Sequence, residues 1–191
     1  MTAVKPMRAD AQRNRDALLV AAVEAFAEHG EAVALETIAA RAGVGIGTLY
    51  RHFPDRNALI TAAYQHEVTQ VCDAAPALLA ELPPDEALHE WMARFAQYVA
   101  TKRGMGEALR AAVAESGSPV FGQTRERIVG ALRQLISAGA EAGTLRSDVD
   151  PDDLFVAMGA VWHLPMNDGW TDQLRRLLDL LVDGLRYGAR G

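Results

Sequence analysis

The sequence predicts an all-α protein of about nine helices. Apolar residues recur at three- and four-residue spacing along almost the whole chain, and glycine and proline interrupt that rhythm at intervals. No segment alternates apolar and polar residues for long enough to make a strand.

The first stripe is Leu19, Ala22, Val23 and Phe26, ended at Gly30. A shorter one, Leu35, Ile38, Ala39 and Ala42, ends at Gly43 and begins after Val33-Ala34, which supplies no capping oxygen. A third element runs from about Ile46 to Phe53, closed by Pro54, which disfavours helical geometry in the residue before it. Asp55 then caps a fourth helix carrying Leu59, Ile60, Ala63, Tyr64, Val68 and Val71. Pro83-Pro84 breaks the chain, and Asp85 restarts it through Leu88, Trp91, Met92, Phe95 and Tyr98. Gly104 and Gly106 mark the next junction. Ser118 and Pro119 suit the cap and first position of a helix carrying Phe121, Ile128, Leu132, Leu135 and Ile136 up to Gly143. Asp150-Pro151-Asp152-Asp153 is the clearest start signal: a capping oxygen, a proline at the first position and two carboxylates on the positive helix end. That helix carries Leu154, Phe155, Met158, Val161 and Trp162; the last presents Leu174, Leu177, Leu178, Leu181 and Leu185.

Composition narrows the function classes. The 191 residues, half of them hydrophobic, suit one domain or two small ones. No apolar run nears the roughly 20 residues that cross a membrane, and Lys5 and Arg8 are followed by no apolar stretch, so neither a membrane partner nor a secretory signal is expected and the chain reads as cytoplasmic. One cysteine, Cys72, excludes a disulfide framework or a cysteine metal cluster and reads as a small core residue. The net charge of -6 argues against nucleic-acid binding only until its distribution is examined. Up to residue 57, Lys5, Arg8, Arg13, Arg15, Arg41, Arg51 and Arg56 balance Asp10, Asp16, Glu24, Glu28, Glu31, Glu36 and Asp55, so the whole deficit lies beyond. There is no HExxH, CxxC, GxSxG or glycine-rich phosphate loop, so no catalytic site, metal or cofactor is expected.

The informative stretch is LETIAARAGVGIGTLYRHFPDRN, Leu35 to Asn57: two short helices joined by a glycine turn, as a helix-turn-helix requires. Gly43 supplies the left-handed exit, and Val44 and Leu49 turn into the angle between the helices. Ile46, Gly47, Thr48, Tyr50, Arg51 and His52 remain outward, a small and donor-rich surface suited to the DNA major groove. Gly45 and Gly47 let backbone amides approach closely. Arg51 suits either a bidentate contact to guanine or a phosphate contact.

This stretch, with Phe26…Gly30 before it and AGVGIGTLYRHFPDRNAL at 42–59, resembles the TetR family of transcriptional regulators, strongly over residues 13 to 65. The resemblance implies a helix-turn-helix domain at 10–57 and a ligand-binding and dimerisation domain at 58–191. It implies that Thr48 and Tyr50 contact phosphate and base edges, and that Arg56 stands where the family usually has a phosphate-binding lysine. Thr37 replaces a common acidic residue, its hydroxyl suiting phosphate or its own backbone. Ile46 replaces a frequent polar residue and suits a thymine methyl. Lys5, Arg8, Arg13 and Arg15 form either an arm along DNA or a solvated tail.

The resemblance further implies an effector cavity within helices five to seven and a twofold pairing of the last two helices. Candidates for the cavity are Trp91, Phe95, Tyr98, Phe121, Met158, Trp162 and His163, residues that serve equally as ordinary core. The effector would be small and mostly apolar with one or two polar anchors. Candidates for the dimer interface are Leu154, Phe155, Val161, Leu174, Leu177, Leu178, Leu181 and Leu185. The implied function is a homodimeric repressor on a palindromic double-stranded operator, released when effector shifts the fourth helix. A transcriptional activator, or a regulator without ligand, is the alternative on the same fold.

Overall fold

The structure is a computed structural model and describes residues 5–29, 32–104, 106–116, 120–159, 164 and 169–189. Among these residues there are nine helices and no strand: α1 (Lys5–His29), α2 (Leu35–Arg41), α3 (Ile46–His52), α4 (Arg56–Glu81), α5 (Pro84–Gly104), α6 (Gly106–Ser116), α7 (Val120–Glu141), α8 (Pro151–Met158) and α9 (Trp170–Arg186). The all-α expectation holds. Gly30, Ser118, Pro119, Val161, Trp162 and His163, all named above, lie outside the described residues.

The local signals explain where helices start and stop. Gly43 takes φ 69°, a left-handed conformation that a side chain would strain, and closes α2. The Asp55 carboxylate accepts from the Ala58 amide at 2.7 Å and caps α4. Asp150 accepts from the Asp152 amide at 2.8 Å, with Pro151 opening α8 behind it. Replacing Asp150 with alanine should cost about 1 kcal/mol, read as a lower urea midpoint with unchanged slope. The α2 start has no side-chain cap, as Val33-Ala34 foretells. Two elements depart from the sequence pattern. Residues 5–16 extend α1 well before the apolar stripe at Leu19, with Arg13 paired to Asp10 one turn away. And α4 runs on through Pro76, which is exposed where its missing donor is tolerated.

The chain divides into two compact units, Met1–Glu67 with Ala100–Ser118, and Val68–Val99 with Pro119–Gly191. In the first, α1 packs on α2 and α3 over a core of Leu18, Ala22, Phe26, Ile38, Leu49 and Phe53, all buried. Arg41 donates to Glu28 at 2.7 Å across α1 and α2, and this bond holds the Glu28 carboxyl below its ordinary value. In the second, α7 packs on α8, and an Asp85–Arg186 ion pair and a His89–Asp179 hydrogen bond join α5 to α9.

One residue breaks the apolar pattern of α4. Ile60, Ala63 and Tyr64 form its buried stripe, and Glu67 continues that stripe half-buried. Burial raises the Glu67 carboxyl above its ordinary value of 4.5, because the charged form loses hydration. A raised folded pKa means stability that is present at acid pH and lost as pH rises through that value. Glu67→Gln should therefore raise the melting temperature at pH 7 and leave it unchanged near pH 4.

Candidate nucleic-acid interface

The site is built on a helix of only seven residues, too short to persist alone. It is held by what its inner side buries. Leu49 is fully buried, and Phe53, whose amide donates to the Leu49 carbonyl at 2.8 Å, is buried behind it. Arg15 of α1 lies over the Phe53 ring, 5.4 Å from its centroid. With Leu49 fixed inward, the helical period turns Gly47 and Arg51 directly outward and sets Tyr50 and Thr48 beside them. Exposure follows this: Tyr50 is 49% exposed, Gly47 and Arg51 are exposed, and Ile46, Thr48 and His52 are half-buried at the margins.

The exposed face is partly preorganised. Arg51 Nη2 donates to Thr48 Oγ1 at 2.7 Å, one turn back, which steers the guanidinium along the helix toward its N-terminal end. A Cβ added at Gly45 or Gly47 would meet nothing within 4 Å, so the backbone there is open to an approaching surface. Thr37 is exposed on α2. Val44, expected in the angle between the helices, is half-buried there.

Arg56 is turned elsewhere. Its Nη2 donates to the Val33 carbonyl at 2.8 Å and its Cζ lies 5.4 Å from the centroid of the buried Phe26 ring. The guanidinium thus grips the junction of α1 and α2. Sequence spacing gave no sign of this, because the acceptor is a backbone carbonyl 23 residues away.

The candidate effector residues that are described divide in two. Trp91, Phe95, Tyr98 and Met158 are buried, with Trp91 stacked on Phe95 at 5.7 Å and Phe95 tilted against Tyr98 at 5.8 Å. The Trp91 indole donates to the Val71 carbonyl at 2.7 Å and so serves the fold. Phe121 is not among this group; it is 38% exposed on the first turns of α7.

The wide leucine face of α9 also divides. Leu174, Leu178, Val182 and Leu185 are buried within the unit, while Leu177 and Leu181 are half-buried and Leu180 is 68% exposed. Buried Leu154 and half-buried Phe155 of α8 are likewise engaged, leaving Val156 69% exposed. A groove of about 360 Å³ between α8 and α9 has an apolar wall that includes Leu154, Leu180 and Leu181 and a charged wall of Arg146, Asp148, Asp150 and Asp153. Leu180 escaped the sequence reading because leucines occupy more than one side of α9, and only the helix phase against its own core separates inward from outward.

Comparison with known proteins agrees with this architecture. Residues 18–63 match the profile of bacterial regulatory proteins of the tetR family, and residues 83–187 match that of the SbtR-like transcriptional regulator C-terminal domain. The structure is similar to that of the TetR transcriptional regulator SCO0520 from Streptomyces coelicolor, with TM-score 0.85 and 50% identity over 90% of this chain and 98% of that one. It is similar to a TetR transcription regulatory protein from Mycobacterium vanbaalenii, with TM-score 0.76 and 34% identity over 95% and 99%. A curated relative, the HTH-type transcriptional regulatory protein RaaS of Mycobacterium tuberculosis, is 25% identical over 85% of this chain and 77% of its own. With its N-terminal helix-turn-helix and most of its C-terminal region matched, the chain belongs to the TetR family of DNA-binding transcriptional regulators.

Proposed function

We infer that the protein is a homodimeric repressor that reads a palindromic operator and is released by a small, mostly apolar effector. The observation that carries this is the two-sided α3: Leu49 buried, and Gly47, Thr48, Tyr50 and Arg51 turned out as a compact donor surface. Such a helix offers Arg51 to guanine O6 and N7, Tyr50 and Thr48 to phosphate, and Ile46 to a thymine methyl. One seven-residue helix reads too few bases to specify a site, so two copies are needed. A twofold pairing through Val156, Leu180, Leu181 and the α8–α9 groove would supply the second copy, and a palindromic site asks that the two helices lie roughly 34–36 Å apart, one turn of the duplex.

The effector side rests on the aromatic column of α5. Trp91, Phe95 and Tyr98, with Met158, are large, mostly apolar side chains buried together, and a cavity opened among them would suit an apolar or aromatic ligand. Effector binding would shift α4 and weaken operator affinity, a coupling of typically 1–3 kcal/mol.

The experiment selects duplexes from a random library with the purified protein and then challenges the complex with a library of hydrophobic compounds. A palindromic consensus, released by at least one compound, is the expected result. No enriched duplex defeats the DNA-reading assignment, and an operator complex that no compound disturbs defeats the effector assignment alone. The sign of regulation is read from promoter output in cells lacking the protein: a rise marks a repressor, a fall an activator.

A further inference from the structure

We propose that Arg56 is a positioning residue for sequence-specific DNA binding: it fastens the entrance of α2 to the first turn of α4 and does not contact phosphate. The proposal rests on the DNA-binding role of α3 and is independent of any effector.

Three observations converge on it. Arg56 is the first residue of α4 and is half-buried, with its Nη2 on the Val33 carbonyl at 2.8 Å. The same guanidinium lies over Phe26, which is buried in the core shared by α1 and α2. And α2, which Arg56 reaches through Val33, begins at Leu35 with Ala34 at the cap position and no side-chain cap, so local chemistry does little to fix where it starts. Since α2 packs on α3, the placement of that start carries through to the recognition surface. A planar guanidinium can lie flat on a ring while its edge, held rigidly in the same plane, donates to the carbonyl; a lysine ammonium is a compact point charge on a flexible stem and does not hold that planar, forked geometry. This is why arginine, rather than lysine, fits the position in this chain.

Phosphate contacts and positioning contacts have different signatures. Losing a phosphate contact weakens binding to every sequence and flattens the salt dependence by about 0.9 per contact. Losing a positioning contact leaves charge contacts in place but misplaces the groups that read bases, so only the specific complex suffers.

The test uses the full-length protein, the duplex it selects from a random library, and a scrambled duplex of equal length. Arg56→Met and Arg56→Lys are compared with the parent well below their melting temperatures, with helical content confirmed by circular dichroism. Both variants should bind the selected duplex about tenfold more weakly, bind the scrambled duplex as the parent does, and keep the parent's salt slope. Arg56→Lys keeps the charge and most of the stem, and it decides the matter if Arg56→Met fails to fold. Parent-like affinity of Arg56→Lys for the selected duplex overturns the proposal. So does an equal loss on both duplexes, with or without a flatter slope. If the parent itself selects no duplex, the DNA-reading assignment fails, which is a different result from any of these.

Discussion

Replacing Arg51 with alanine is expected to weaken operator binding severely while leaving the fold and the dimer intact. The side chain is exposed and makes its hydrogen bond to Thr48 on its own helix, so its removal opens no cavity and orphans no buried group. A bidentate arginine–guanine contact discriminates by about 1–3 kcal/mol, and twofold symmetry doubles it to roughly 2–6 kcal/mol per dimer. The lower end is a loss of about thirtyfold and the upper end leaves only nonspecific affinity. Tyr50→Ala, which removes an exposed ring and its hydroxyl, should act in the same direction. Mobility shift on the selected duplex, far-UV circular dichroism and light scattering give the three readings together. If helical signal is lost with binding, these residues support the fold and the outward assignment fails.

The second large effect is expected at Leu180. A glutamate there should convert the protein to monomers at micromolar concentration and reduce operator affinity by two orders of magnitude or more, since each subunit would then bind one half-site alone. Leu180 is 68% exposed and borders the α8–α9 groove, so the single subunit loses almost no buried surface; its own stability should change by less than about 0.5 kcal/mol. In a twofold interface the substituted position occurs twice, which places two carboxylates in an apolar contact. Sedimentation equilibrium separates the outcomes. A dimer undisturbed by Leu180→Glu would place the interface on another face.

How much of this was legible in the sequence depended on how local each signal was. Gly43, Asp55 and Asp150 act on amides or dihedrals within three residues, and each does in the structure what its type and position suggest. The inward Leu49 and outward Arg51 follow from helical period once one apolar anchor is fixed. Arg56 was not legible, because its partners are a distant carbonyl and an aromatic ring on another helix, neither marked by residue spacing. The leucines of α9 show the same limit: Leu178 and Leu180 look alike as letters, and only packing assigns one to the core and the other to the surface. Glu67 shows the converse, a charged residue in the middle of an apolar stripe, visible by eye yet without chemical meaning until its burial is known.

Hydroxyl-radical footprinting of the protein on its selected duplex tests the central assignment most directly. Two protected patches on one face of the duplex, their centres about 10 base pairs apart and their pattern erased by Arg51→Ala, are the expected result. Protection spread evenly around the duplex, or a footprint that survives Arg51→Ala unchanged, would contradict the assignment of α3 as the element that reads DNA.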